Sequence, residues 1–432
     1  MKETEKNENI FVVPHYIGSL KYFDKLYDPL KKNNVEIIYI IRNKEMLEYC
    51  KKNNKKFNYL TINPYSKVLN LAYPIILKNF RERVLNLAKK FQPKLIIQSN
   101  DISDYNAIIV KVAESLNIKT MVLQWAITAP ELLYFRKSKL KNRKIYKKKG
   151  FLRYLTQKFM KSIKKIQFPI YKILRVDSSY KPSLGQGDSD SLGVINRYSK
   201  ELFIRQGIDE EKIKILGHLD YDDVLKIKNK SKEKIKKKYK ISDKERYITY
   251  FSQPFYTKDI NYLKLEEQID YIKNIIKKIE DFYQELNISY LIFIKIHPAE
   301  QRRDYKEIED LNNIRLFKNA NFNELIYFSD FCISQNSSVL QSAIVLKKPI
   351  IALNTLNLIE IKIGAKILGI RKLAETWEEF REFLLLIEND GYQKEEFFDY
   401  DKVLADGKCY KRTIELVMDL ISETNKSKKN LK

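Results

Sequence analysis

The chain has 432 residues, more than the roughly 250–300 that one hydrophobic core organises, so two domains are expected. Hydrophobic residues make up 44% and aromatics 12%, which excludes wholesale disorder. A formal charge of +26 leaves three sources open, namely Lys-rich codon usage, attraction to an anionic membrane and attraction to nucleic acid.

In chain order, short apolar runs alternate with helix-length amphipathic stretches, the pattern of a parallel α/β sheet. Ile10–Val13 reads as a strand, followed by a loop with Pro14, His15 and Gly18 and a helix to about Lys32. Val35–Ile41, Leu95–Gln98 and Thr120–Gln124 read as further strands, with helices over Asn79–Phe91 and Tyr105–Leu116. Together these predict a Rossmann-like unit.

The alternation stops between Arg136 and Arg175, a stretch with sixteen Lys and Arg residues and no Asp or Glu. Phe151, Leu152, Leu155, Phe159, Ile163 and Ile166 recur there at helical spacing, which predicts an amphipathic helix with a basic face. Such a helix suits an anionic membrane surface; a solvated insertion packed on its domain is the plainer alternative. Strands resume at Ser191–Ile195 and Ile213–Leu216, with a helix over Arg197–Gln206 between them. A Lys-rich helix, Lys226–Tyr239, leads to a second sheet built from Tyr247–Phe251, Tyr290–Ile296, Ile314–Leu316, Phe331–Ile333 and Pro349–Leu353. Glu266–Leu286 is a long helix within that domain, and Tyr410–Ser422 is a final one.

Four motifs carry chemistry. In Lys295-Ile296-His297-Pro298 a buried strand delivers a His to its C-terminal end, where ligands of open α/β sheets bind. Such a His can donate to a phosphate or to developing negative charge. In Ser334-Gln335-Asn336-Ser337-Ser338 a strand passes through a polar loop into a helix start, an anion site by its free N–H groups, or an ordinary Ser cap. Gly217-His218, after Ile213–Leu216, permits close backbone approach or a surface turn. Asn100-Asp101, Gln124-Trp125 and His15 fall at the ends of first-domain strands. His15 and Asp101 are the candidates to take a proton from an acceptor hydroxyl.

Asp188-Ser189-Asp190 spells an Asp-x-Asp but lies in a small polar loop, so no metal and no other cofactor is expected. Cys50, Cys332 and Cys409 are far apart, which predicts neither a disulfide framework nor a zinc site and fits a reducing compartment. No run of about 18 apolar residues or signal-peptide core is present, so a cytoplasmic protein is expected, or one peripheral on the inner face of the cell membrane.

The order of these motifs resembles the GT-B superfamily of bacterial surface-polysaccharide transferases. Its members include CDP-glycerol glycerophosphotransferases, capsule Kdo transferases and sialyl- and polysialyltransferases. The likeness rests on His297-Pro298, Ser337-Ser338, Lys348-Pro349, the Gly217–Asp222 junction, Leu95–Asp101 and Val122–Gln124, and spans roughly residues 90–130 and 190–420. It implies two Rossmann-like domains facing a cleft, with the basic helical segment as an insertion. The domains would be 1–135 with 176–225 for the acceptor, 136–175 as the insertion, 226–409 for the nucleotide donor, and 410–432 as a terminal helix and basic tail. Catalysis would fall to His15, Asp101 and His297. The donor-site set would be Gly217, His218, Ser252, Lys295, His297, Pro298, Asn336, Ser337 and Ser338. The chain departs from many relatives in having Trp125-Ala126 where they have His-Gly. It also has Gln341 and Ser342 where they carry a ribose-gripping Glu, a role open to Glu360.

The function implied is transfer of a sugar from a nucleotide donor, CMP- or CDP-linked ahead of UDP-linked, to a cell-surface glycan or lipid-linked acceptor. A UDP-sugar 2-epimerase-like enzyme shares the fold and the phosphate site. A nucleic-acid-binding protein fits the charge, but no recognised module supports it, so no nucleic-acid partner is expected.

Overall fold

The computed structural model describes residues 7–60, 73–126, 184–256, 262–335 and 337–429. The expected basic helix of 136–175 and Asn336 lie outside them. The described residues form two compact units, one holding the chain up to 126 with 184–219 and 408–429, the other 220–407.

Unit 1 contains strands β1 Glu8–Val13, β2 Val35–Ile41, β3 Phe57–Tyr59, β4 Leu95–Gln98, β5 Lys119–Leu123, β6 Ser191–Val194 and β7 Ile213–Ile215. They pair in the order β3-β2-β1-β4-β5-β6-β7, all parallel. Runs such as Ile10–Val13 and Leu95–Ile97 are apolar at consecutive positions because helices cover both faces of a parallel sheet. One face packs Phe11, Val13, Ile38 and Ile40 against Leu77, Phe80 and Val84 of helix Tyr73–Phe91. Ile108, Ile109 and Val112 of helix Asp104–Ser115 join them, and that helix starts where Ser103 Oγ accepts from the Asn106 N–H.

The final helix, Cys409–Lys429, packs within unit 1, and the boundary between the units falls at Leu219–Asp220. Arg412 Nε donates to the Leu216 carbonyl at 2.9 Å, and Thr424 Oγ1 accepts from the Lys119 N–H at 3.2 Å.

Unit 2 repeats the plan with β8 Arg246–Phe251, β9 Tyr290–Lys295, β10 Ile314–Phe317, β11 Phe331–Ser334 and β12 Ile350–Ala352. The order β10-β9-β8-β11-β12 is again parallel. Helix Leu265–Glu285 buries Ile269, Ile272, Ile275, Ile276 and Ile279 along one stripe. In each unit the first strand is flanked on one side by the second strand and on the other by the fourth. The chain therefore reverses its direction of travel across the sheet beside β1 and beside β8, the place where open α/β sheets bind ligands.

Candidate functional site

In unit 2 the carboxyl-terminal edge of the sheet is organised by Glu300, which sequence reasoning missed. Its carboxylate is fully buried. It accepts from Tyr305 Oη at 2.8 Å, from the His297 N–H at 3.0 Å, and from Ser252 Oγ and Gln268 Nε2 at 2.5 Å each. A buried carboxylate with this many donors is stable where an unpaired one is not. The network ties the end of β8, through Ser252, to the turn after β9. Ser252 Oγ also accepts from the His297 N–H at 2.9 Å.

The same turn is held from β10. Phe317 pairs with Lys295, so the next residue, Lys318, emerges beside the turn. Its ammonium donates to the carbonyls of His297 at 2.7 Å and Pro298 at 2.8 Å, and to that of Glu300. Lys295 does not present its charge at the sheet edge; its Nζ donates to the carbonyls of Lys318 at 2.7 Å and Ile296 at 3.1 Å. Its placement is that of a backbone staple, and burial together with Lys318 lowers its pKa.

His297 is half-buried, and its Nδ1 accepts from the Ala299 N–H at 3.1 Å. An acceptor at Nδ1 cannot carry a proton, so the ring is neutral with its proton on Nε2. Burial first, then the charges of Lys318 and Lys295, lower its pKa below the ordinary 6.5 against the opposing pull of Glu300. The outcome is a fixed imidazole that offers one N–H. Such a group can donate to a phosphate oxygen and stabilise charge arriving on a leaving group.

Ser337 and Ser338 follow β11. Ser337 Oγ accepts from the Val339 N–H at 3.3 Å, while Ser338 is exposed and makes no side-chain capping bond. The helix they start, Val339–Val345, has seven residues, so its dipole is modest. Gln341 is buried within that helix, and Glu360 lies in the first turn of Ile359–Leu368, beyond β12. Lys348 Nζ donates to the Ser329 carbonyl at 2.5 Å, which ties its residue to the fold.

The remaining candidates sit in unit 1. Gly217 has φ +88°, and a Cβ there would lie 2.3 Å from Cys409 Sγ, so its glycine serves the seat of the final helix. His218 Nε2 is 3.1 Å from the Trp125 carbonyl, which fixes the proton on that nitrogen, and its ring packs 4.8 Å from that of Tyr22.

Asp101, expected as a proton acceptor, lies against the loop that begins at residue 184. Its carboxylate is fully buried and accepts from the Gly185 N–H at 2.8 Å. A Cβ on Gly187 would lie 2.5 Å from Asp101 Oδ2, so the loop backbone packs closely against the group. Burial raises its pKa, with the N–H groups of the loop opposing.

His15 follows β1, and its Nδ1 lies 3.1 Å from Arg42 Nη2. A guanidinium only donates, so Nδ1 accepts and the neutral ring carries its proton on Nε2, which makes His15 a hydrogen-bond donor before it can be a base. Asp190 accepts from the Thr120 N–H and Oγ1 at 2.8 Å each, and Asp188 pairs with Lys111 at 2.9 Å. Among the described residues no group of His, Cys, Asp and Glu has the arrangement of a metal site, and no helix is long and apolar enough to cross a membrane.

Solved structures that resemble nearly the whole chain include two epimerases and a glycosyltransferase. UDP-GlcNAc 2-epimerase from Neisseria meningitidis, bound to UDP-GlcNAc, is 16% identical with a TM-score of 0.59, covering 95% of this chain and 100% of that one. The UDP-GlcNAc 2-epimerase of Methanocaldococcus jannaschii is 14% identical with a TM-score of 0.56, covering 95% and 99%. A glycosyltransferase from Rickettsia africae is 14% identical with a TM-score of 0.53, covering 98% and 99%. At these identities the likeness shows the fold, two Rossmann-like sheets of the GT-B kind. A search of curated protein sequences finds no match. The family model for CDP-glycerol:poly(glycerophosphate) glycerophosphotransferase matches residues 113–355, a span that includes the His297 turn, the Ser337-Ser338 start and the Gly217 junction. More than half of the chain lies within that match, so the protein belongs to the CDP-glycerol:poly(glycerophosphate) glycerophosphotransferase family and is a transferase of the GT-B type.

Proposed function

We propose that the protein transfers a group from a cytidine-activated donor, CMP- or CDP-linked, to a hydroxyl of a cell-surface glycan or lipid-linked acceptor. The observation that carries this reading is His297, held neutral by the Ala299 N–H with Nε2 as its only donor. Placed against the donor phosphate, Nε2–H stabilises the leaving nucleotide as its charge grows. Ser252 and Glu300 position the ring through its backbone, and Ser337 and Ser338 offer hydroxyls after β11, one strand beyond β8 on the same sheet edge. The reading is metal-independent, since charge on the departing nucleotide falls to these donors. The epimerase alternative is not favoured, because likeness to epimerases is one of fold while the family match is one of transferase.

The basic stretch 136–175 supports a peripheral seat on an anionic membrane, each Lys or Arg near the surface contributing roughly 1 kcal/mol. The test of function is a thermal-shift screen with CMP, CDP, UDP and GDP, followed by product analysis with and without acceptor. A ligand at a hundred times its Kd stabilises the native state by about 2.7 kcal/mol. Stabilisation by a cytidine nucleotide above the others, with product formed only when acceptor is present, supports the proposal. Epimerised sugar without acceptor would overturn it.

A further inference from the structure

Arg42 stands immediately after β2, on the same sheet edge as His15 after β1 and Asn100 after β4. It is half-buried. Its contacts are His15 Nδ1 at 3.1 Å and the Tyr105 ring, whose centroid lies 5.9 Å from the guanidinium carbon. Both are neutral. Among the described residues no carboxylate pairs with it, and burial, the largest influence, lowers its pKa only to about 10, so it stays charged at neutral pH. Elsewhere the fold supplies a counter-charge to such a group: Arg246, also half-buried, pairs with Glu388 at 2.8 Å. A withdrawn cation without a counter-ion is costly, and an anion from outside would remove that cost.

Aromatic rings stand beside it. Tyr16 is 54% exposed, its ring 4.1 Å from that of His15 and 6.0 Å from that of Trp125. Gly18 keeps the space for Trp125, whose ring would lie 3.1 Å from a Cβ there. Apolar faces beside a few fixed donors are the usual make-up of a small-ligand site.

We propose that Arg42, with His15 and the Tyr16 and Trp125 rings, is an acceptor subsite that reads an anionic group on a sugar, either a carboxylate or a phosphate. The inference rests on the transferase reading for the word acceptor, while the binding itself does not. Arg42 supplies a two-pronged fork, His15 orients it through Nδ1, and the rings take the apolar face of the sugar.

The test is calorimetric titration of the full-length protein with methyl glucuronide, methyl glucoside 6-phosphate and methyl glucoside. At least one charged glycoside should bind tenfold or more tightly than the neutral one, and the stronger of the two identifies carboxylate or phosphate. Arg42→Gln should abolish that preference and Arg42→Lys retain part of it. Equal binding of charged and neutral glycosides to the unaltered protein, or an unchanged preference in Arg42→Gln, overturns the inference. Should Arg42→Gln fail to fold, phenylglyoxal labelling of the unaltered protein decides, with slowed Arg42 modification under the charged glycoside expected and no protection overturning. A parallel titration with CDP separates the two readings. CDP binding without glycoside preference sinks this subsite alone, and the reverse sinks the cytidine-donor reading alone.

Discussion

The two sheets share one strand order around β1 and around β8, yet their carboxyl-terminal edges are built in opposite ways. In unit 2 a buried anion, Glu300, is surrounded by donors and converts its charge into rigidity, holding a neutral His297 at the edge. In unit 1 a withdrawn cation, Arg42, is met by neutral groups and keeps its charge unspent. A satisfied polar network rigidifies its members, whereas a buried charge without a counter-ion is costly.

The largest effect expected is on the first of these. His297→Ala should lower kcat by about 10²–10³, the scale of losing one donor to developing charge, while thermal unfolding stays near that of the unaltered protein. In the unaltered protein, activity should fall as pH drops through the lowered His297 pKa, below the ordinary 6.5, because protonation there breaks the Ala299 bond. Steady-state rates across pH check both, and near-normal turnover in the variant would break the comparison at its stronger side.

Glu300→Gln comes next. An amide NH₂ replaces one acceptor oxygen and strands donors among Ser252, Gln268, Tyr305 and the His297 N–H. Stability should drop by about 2–4 kcal/mol in urea unfolding, from roughly 1–3 kcal/mol for each stranded buried group. Glu300 positions His297 without touching substrate in this reading, so kcat should fall about tenfold with a smaller change in KM. A normal kcat in a destabilised variant would reduce the network to structure alone.

The smallest effect belongs to Asp101→Asn. A buried carboxylate that anchors a loop should leave kcat within about threefold, whereas a lost general base costs roughly 10²–10⁴. The pH dependence has a definite sign. The folded-state pKa is raised above 3.8, so the stability Asp101 contributes is full below that value and declines as pH rises through the raised one. Urea unfolding at pH 4 and pH 7 should therefore show a shallower decline in the variant, which does not titrate there.

The sheets were legible in the residues, because parallel strands covered on both faces are continuous apolar runs, and Val35–Ile41 is bounded as expected. The short edge strand Phe57–Tyr59 has no such run and passed unread. The Lys-rich helix expected over 226–239 is shorter, Lys232–Tyr239 with Ser231 at its N-cap, and follows a 3-10 turn, Ile227–Asn229, that extends helix Leu219–Lys226. Helices Ile359–Leu368 and Trp377–Glu388 also went unread.

In the site, His297 was legible from a strand stopped by proline. Glu300, three residues on, was not, for a carboxylate in a charged turn looks like surface until Ser252, Gln268 and Tyr305 are brought to it from distant positions. The burial of Asp101 was not legible for the same reason, because it depends on Gly185 and Gly187 arriving from far along the chain. Arg42 gave only the signal of a basic residue closing an apolar run.

The protonation of His297 is the most direct test of the account. The chain contains three histidines, so ¹⁵N-labelled imidazole spectra can be assigned with one variant of each. The account predicts His297 as the neutral Nε2–H form at pH 7, with its Nε2 proton shifting when CDP is added. A proton on Nδ1, an imidazolium at pH 7, or no response to saturating CDP would contradict it.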